Sequence, residues 1–154
     1  MALAGLLHQN AIIPAMRANS KKQLLQELAA KASKITGLPE REIFDVILQR
    51  ERLGSTGVGN GIAIPHGKLN NLPSIIGIFA RLETSVDFEA LDDQPVDLVF
   101  LLLAPEGAGA DHLKALSRIA RVLRDQDMVA KIRSSDSASA IYTLLDDDAT
   151  SHAA

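Results

Sequence analysis

The feature that most constrains the fold is a nearly continuous apolar run at residues 96–104. It reads Val-Asp-Leu-Val-Phe-Leu-Leu-Leu-Ala, and such a run is typical of a strand whose two faces are both buried. It is far shorter than the ~18 apolar residues of a membrane-spanning helix. We therefore expect a central strand at residues 96–104, with other elements of the chain covering both of its faces.

Helical and strand patterns alternate along the rest of the chain. Shorter strands are expected at residues 11–14, 62–65 and 75–82, the first at a sheet edge because it contains Pro14. Helices are expected over residues 20–37, 39–54, 111–123, 128–133 and 138–145. The interleaved order predicts an α/β fold, a single domain over residues 1–150 with a mixed central β-sheet and helices packed on both faces. Residues 151–154 are expected to form a frayed C-terminal tail.

Several helix ends carry recognisable signals. Ser20 and Gln23 match a capping box, and Gly37 offers a stop for the helix that they begin. Pro39 suits the first position of the second helix. The third helix is expected to be capped by Asp111. Its buried face is expected to carry Leu113, Leu116, Ala120 and Leu123.

The composition excludes several classes of function. With 154 residues and 47% hydrophobic content, the chain has the size of one domain with one core. The net charge of −3 and the 3% aromatic content argue against nucleic-acid binding, which favours basic surfaces and stacking rings. The absence of cysteine excludes disulfides and cysteine-ligated zinc. The N-terminus lacks the basic segment of a signal peptide, so we expect a cytoplasmic protein without membrane insertion.

A glycine-rich segment leads to a histidine in a constrained setting. Residues 54–61 read Gly-Ser-Thr-Gly-Val-Gly-Asn-Gly, and the following apolar run ends at His66, between Pro65 and Gly67. Glycines let backbone N–H groups crowd around an anion, and an imidazole is a nucleophile near neutral pH. These features predict a histidine at a strand end that handles a phosphoryl group. The alternative is a surface or structural histidine.

Other chemistries fit the same segment poorly. The glycines are not followed by the Lys-Ser/Thr of a P-loop, and Ile62 stands where the dinucleotide-binding fingerprint needs its third glycine. His66 and His112 are candidate metal ligands together with Asp111. Because the chain has no cysteine and no closely spaced histidine pair, we expect no metal site.

Four segments resemble, in order, the IIA components of the bacterial phosphotransferase system, in the fructose/mannitol group. They are Arg-Glu-Arg-Leu-Gly-Ser-Thr-Gly at residues 50–57, Gly-Ile-Ala-Ile-Pro-His-Gly-Lys at 61–68, Asp-Gln-Pro-Val-Asp-Leu at 93–98, and Asp-His-Leu-Lys-Ala-Leu-Ser at 111–117. The closest resemblance is to the nitrogen-regulatory branch, IIA-Ntr. It extends from about residue 11 to about residue 146, and it implies the same α/β arrangement.

The resemblance implies a role for three residues. His66 is the implied phosphoryl acceptor, and His112 the second histidine, which hydrogen-bonds the phosphoryl group or orients His66. Arg50, near the end of the second helix, is the implied arginine whose guanidinium fork holds phosphate oxygens. Without the resemblance, His112 and Arg50 would be interpreted as solvated residues at helix ends.

The expected phosphate-binding residues are Ser55, Thr56 and Gly67. The hydroxyls of Ser55 and Thr56 are predicted either to bind phosphate oxygens or to shape the turn, and the sequence does not decide between the two. Lys68 adds positive charge near the site or attracts an acidic partner surface.

The resemblance implies reversible phosphoryl transfer between histidines, with an HPr-type phosphoryl donor and no cofactor. We expect a phosphohistidine carrier of the nitrogen-related system whose phosphorylation state regulates partner proteins. The alternative is a fructose/mannitol-type IIA component that passes the group to a IIB domain in sugar transport. A binding protein without phosphoryl transfer is disfavoured because Arg50, His66 and His112 are all present.

Overall fold

The computed structural model describes residues 5–7 and 9–153. Within them the strands are β1 (Ile12–Met16), β2 (Gly57–Gly59), β3 (Ile62–Ala63), β4 (His66–Leu69), β5 (Ile76–Val86) and β6 (Val96–Pro105). The α-helices are α1 (Lys21–Thr36), α2 (Glu40–Arg52), α3 (Ala110–Val122), α4 (Gln126–Arg133) and α5 (Ala138–Ala153). A short 3₁₀ turn at Gln9–Ala11 precedes β1. No helix in these ranges is long and apolar enough to cross a bilayer.

Strand β6 is the centre of a mixed sheet. It runs antiparallel to β5 on one side and parallel to β3 and β4 on the other, in the order β1-β5-β6-β3-β2 with β4 beside β6. Successive residues from Leu98 to Ala104 are buried, so both faces of the strand are covered. The expected central strand and the α/β class are therefore confirmed. The edge strand that contains Pro14 is confirmed as β1, which pairs with β5 alone.

The predicted strand at residues 62–65 is confirmed only as the two-residue β3, and a further strand, β4, begins after it on the same side of β6. Ile62 pairs with Leu98 in β3, and His66 pairs with Leu102 in β4. Pro65 lies at the break because it has no N–H to donate, although its carbonyl oxygen accepts from the Leu102 N–H at 3.0 Å. His66 therefore begins a strand of the central sheet instead of following one, which fixes its backbone.

The glycine-rich segment forms a β-hairpin, which the sequence analysis missed. Strands β2 and β3 are antiparallel, and the turn between them is Asn60-Gly61, with φ of 58° and 81°. Positive φ at both turn residues defines the type I′ turn for which Asn-Gly is the preferred pair. The dipeptide was the signal that could have predicted this hairpin.

Helix α1 has the ends that its sequence predicts. The Ser20 side chain accepts from the Gln23 N–H at 3.1 Å, and Gly37 closes the helix in the left-handed region at φ 78°. Pro39 occupies the N-cap of α2 instead of its first helical position. Helix α4 begins at a cap from Asp125, slightly before the prediction. Helix α5 extends past its predicted end at residue 145. Residue 154 lies outside the described residues, and the frayed tail expected at residues 151–154 stays a prediction.

The predicted buried face of α3 is confirmed in part. The helix starts at Ala110 without a side-chain cap, so Asp111 is not its N-cap. Leu123 is buried, and Leu116 and Ala120 pack against the core, but Leu113, also expected there, is 67% exposed. His112 is buried in the first turn instead, and its ring centroid lies 5.5 Å from that of His66. The helix pattern alone did not decide which residue of the first turn faces the core.

Gly67 lets β4 pack closely against α2. A Cβ on Gly67 would lie 2.6 Å from Cγ1 of Val46, so Gly67→Ala is expected to destabilise the fold by about 1–3 kcal/mol through overpacking. Urea unfolding measures the loss. Gly107→Ala is the matched control, because a Cβ there meets no described atom within 4 Å. Adding Val46→Ala should recover part of the loss; a Gly67→Ala variant as stable as the control would contradict the packing argument.

Candidate functional site

The imidazole of His66 is held in one tautomer. Its Nδ1 lies 3.0 Å from the carbonyl oxygen of Ile64, two residues earlier in the chain. A carbonyl oxygen only accepts hydrogen bonds, so Nδ1 carries the ring proton and Nε2 keeps its lone pair. The ring is half-buried at the start of β4. The nucleophilic atom that this arrangement provides is therefore Nε2.

Arg50 faces that nitrogen from the last turn of α2. Its Nε–H donates to His66 Nε2 at 3.3 Å, and its Nη1 donates to the carbonyl oxygen of Gly54 at 3.0 Å. The bond to Gly54 fixes the guanidinium group, which is permanently charged and can bind two phosphate oxygens at once. The predicted Arg50–His66 pair is thus assembled in the structure.

His112 lies beside the ring of His66. It lies in the first turn of α3, and its ring centroid is 5.5 Å from that of His66. The side chain is buried, with 8% of the residue exposed, so it is not a solvated residue at a helix start. Among the described residues, His112 Nε2 has no hydrogen-bond partner. Such a buried polar atom is costly unless a bound group satisfies it.

Burial favours the neutral form of His112. Desolvation, above all, lowers its pKa from the ordinary 6.5, and electrostatic interaction with His66 and Lys68 lowers that pKa further. A neutral His112 beside a charged Arg50 can donate or accept one hydrogen bond without adding charge of its own. Lys68 is exposed, so it contributes positive potential near the site while its side chain remains in contact with solvent.

The hydroxyls of Ser55 and Thr56 are engaged within the loop. Ser55 Oγ donates to the Phe88 carbonyl oxygen at 2.9 Å and accepts from the Gly57 N–H at 3.1 Å. Thr56 donates through both its hydroxyl and its N–H to the carboxylate of Glu51. These contacts support the turn-shaping interpretation, and the N–H groups of Thr56 and Gly57 do not form an open anion cradle. Phosphate binding by Ser55, Thr56 and Gly67 stays a prediction.

Glu51 and Lys21 are functional candidates that the sequence analysis missed. The Glu51 side chain is only 2% exposed, and its Oε1 lies 3.0 Å from Lys21 Nζ. The signal was a carboxylate directly after Arg50 in Arg-Glu-Arg. Nothing in that pattern shows which of three adjacent charged residues turns inward.

Within residues 5–7 and 9–153, no group of three or more histidine, cysteine or acidic side chains is arranged to hold a metal ion. The polar groups around His66 are cationic or neutral, a set that suits an anion better than a cation.

The chain belongs to a known family of phosphotransfer proteins. The family model described as phosphoenolpyruvate-dependent sugar phosphotransferase system, EIIA 2, matches residues 5–148. This membership confirms the resemblance on which the roles of Arg50, His66 and His112 were predicted.

Its relatives include regulatory proteins of similar length. It is 64% identical over 145 residues to the nitrogen regulatory protein of Bradyrhizobium diazoefficiens, covering 94% of this chain and 95% of that one. It is 39% identical over 148 residues to the nitrogen regulatory protein of Escherichia coli, covering 96% and 91%. The crystal structure of nitrogen regulatory protein IIA-Ntr from Neisseria meningitidis superposes with a TM-score of 0.88 at 34% identity, covering 93% and 98%.

The lowered pKa of His112 predicts a pH dependence of stability. As the pH falls through about 6.5, the unfolded chain protonates this residue before the folded protein does. The free energy of unfolding should therefore fall, with a slope of at most about 1.4 kcal/mol per pH unit from this group. The measurements are an NMR titration of the His112 ring and urea unfolding from about pH 8 to pH 5. His112→Gln should lack this slope, and a midpoint at or above 6.5 would contradict the argument.

Proposed function

We propose that this protein is a regulatory phosphocarrier of the nitrogen-related phosphotransferase system. His66 Nε2 accepts a phosphoryl group from a phosphohistidine on an HPr-type donor. The observation that carries the proposal is the Nδ1 hydrogen bond to Ile64, which leaves Nε2 unprotonated and facing Arg50, with the His112 ring beside that of His66. Family membership supports phosphoryl transfer as the chemistry of this protein.

The transfer forms one P–N bond and breaks another. The Nε2 lone pair attacks phosphorus in line, and the electrons of the donor's P–N bond return to the donor imidazole. The proton of His66 remains on Nδ1 and stays hydrogen-bonded to the Ile64 carbonyl oxygen, which stabilises the positive charge that the ring acquires. Because both bonds join phosphorus to imidazole nitrogen, the step needs no nucleotide. Positioning and charge stabilisation supply the catalysis.

Arg50 and His112 would stabilise the phosphoryl oxygens. Arg50 Nε–H lies 3.3 Å from the attacking nitrogen, so as phosphorus approaches, this N–H shifts from Nε2 to a phosphoryl oxygen. The bond from Arg50 Nη1 to Gly54 limits how far the guanidinium moves. The unpartnered Nε2 of His112 offers a further hydrogen bond from the other side. Both contacts strengthen as charge develops in transfer.

Regulation would follow from the charge that the phosphoryl group adds, about −2 at neutral pH by analogy with other phosphorylated side chains. Partner proteins that contact the surface around His66 would bind the two forms differently. Similarity to nitrogen regulatory proteins over nearly the whole chain favours this role over delivery to a IIB domain in sugar transport. We place the protein in the cytoplasm, where such donors act.

The acceptor assignment predicts one acid-labile phosphoryl group. Incubation with phosphoenolpyruvate, enzyme I and an HPr-type donor should add one such group, and peptide mapping should locate it on His66. His66→Ala should abolish the label. His112→Ala is the matched control: it should still be labelled, about ten- to a hundredfold more slowly, since one hydrogen bond is lost while the nucleophile remains. Label that persists in His66→Ala would exclude this acceptor.

The regulatory role predicts poor delivery to sugar-specific acceptors. The phosphorylated protein should transfer slowly to purified fructose- or mannitol-type IIB domains, whereas its affinity for at least one protein outside transport should change on phosphorylation. The partner's contact surface should surround His66, because exposed charges are screened beyond about 10 Å. Two measurements test this prediction: a transfer assay from the phosphorylated protein to purified IIB domains, and a binding assay with the phosphorylated and unphosphorylated forms. Fast transfer to a IIB domain without any phosphorylation-dependent partner would favour the transport role.

A further inference from the structure

Glu51 has a buried carboxylate, and the proposed phosphoryl transfer at His66 does not use this carboxylate directly. Glu51 is 6% exposed, and it is the only buried acidic residue among those whose side chains the structure describes. Three contacts satisfy it: Oε1 accepts from the Thr56 N–H at 3.1 Å and lies 3.0 Å from Lys21 Nζ, and Oε2 accepts from the Thr56 hydroxyl. Lys21 Nζ also lies 4.5 Å from the centre of the Phe88 ring. A buried charge of this kind is tolerated only with such complete pairing.

One path leads from Glu51 to Nδ1 of His66. The carboxylate fixes Thr56, whose carbonyl oxygen accepts from the Ile64 N–H at 3.0 Å. The carbonyl oxygen of Ile64 in turn accepts from His66 Nδ1 at 3.0 Å. Thr56 thus holds the backbone of Ile64, the residue whose carbonyl oxygen selects the tautomer of the imidazole.

A second path leads from Glu51 to Nε2. The Gly54 N–H donates to the Glu51 carbonyl oxygen at 3.1 Å, and Thr56 lies two residues further along the same turn. The Gly54 carbonyl oxygen accepts from Arg50 Nη1 at 3.0 Å, and Arg50 Nε–H donates to His66 Nε2. The bond to Gly54 uses the main-chain carbonyl of Glu51, whereas the carboxylate holds the same turn through Thr56. The carboxylate therefore supports the turn that presents the Gly54 carbonyl oxygen to the guanidinium group.

We propose that Glu51 is a positioning residue whose carboxylate, through Thr56, holds both hydrogen bonds of the His66 imidazole. Lys21 Nζ, 3.0 Å from Oε1, pairs with this carboxylate in the interior. The role of Glu51 in phosphoryl transfer rests on the proposed function. Its role in positioning the imidazole concerns the unphosphorylated protein, in which both hydrogen bonds of His66 exist before any donor binds.

The test is the exchange rate of the Arg50 Nε–H with solvent, followed by NMR in the unphosphorylated protein. Glu51→Gln removes the charge that orders the turn, so the Arg50 Nε–H should exchange at least about tenfold faster. The same variant should lose about tenfold or more in kcat for phosphoryl transfer, with the donor KM nearly unchanged, because the donor surface is untouched.

Glu89→Gln is the matched control. Glu89 lies 3.9 Å from the same lysine, but its side chain is 77% exposed, so both readouts should stay at wild-type values. Thr56→Val removes only the hydroxyl bond to Glu51. It should change the exchange rate and kcat in the same direction as Glu51→Gln, but by less. Thr56→Ser restores the hydroxyl and should restore both.

A folded Glu51→Gln variant with wild-type exchange or wild-type kcat would overturn the proposal. If Glu51→Gln does not fold, the comparison of Thr56→Val with Thr56→Ser tests the proposal by the same two measurements, the exchange rate and kcat. If the wild-type protein accepts no phosphoryl group, the proposed function fails. The exchange rates then support or overturn the positioning role independently.

Discussion

The hydrogen bond from His66 Nδ1 to the Ile64 carbonyl oxygen is the interaction on which the site depends. It decides which ring nitrogen keeps a lone pair. The Pro65 carbonyl oxygen accepts from the Leu102 N–H of β6, whereas the Ile64 N–H donates to Thr56, so the backbone groups of Ile64 face away from β6. The Ile64 carbonyl oxygen therefore lies outside the ladder with β6 and accepts from the imidazole.

The three residues of the site, Arg50, His66 and His112, differ in charge and in burial. Arg50 supplies a permanent positive charge, His112 is held neutral by burial, and His66 is half-buried at the surface where a donor can reach it. Fixed dipoles of this kind stabilise a transferring phosphoryl group because they do not have to reorient during the step. Around them, β6 and α2 provide a rigid support, with Gly67 allowing the close contact between β4 and Val46.

The sequence predicted those parts of the fold that depend on local pattern. The apolar run at residues 96–104 specified the central strand, and the Ser20 cap and Gly37 specified the ends of α1. The first turn of α3 could not be predicted, because the helix pattern favours the apolar Leu113 over His112, whereas the structure buries His112 beside His66. The hydroxyls of Ser55 and Thr56 had no assignable partner, since their acceptors, Phe88 and Glu51, are chosen by tertiary contacts. For the site itself, the resemblance of short motifs supplied the roles and the structure supplied the geometry.

The most direct test of this account is the tautomer of His66 in the unphosphorylated protein. Long-range ¹H–¹⁵N NMR spectra at a pH where the ring is neutral distinguish a protonated from an unprotonated ring nitrogen. The account predicts a protonated Nδ1 and an unprotonated Nε2 for His66, and a phosphoryl group bonded to Nε2 after reaction with the donor. A protonated Nε2 in the free protein, or phosphorus bonded to Nδ1, would contradict it.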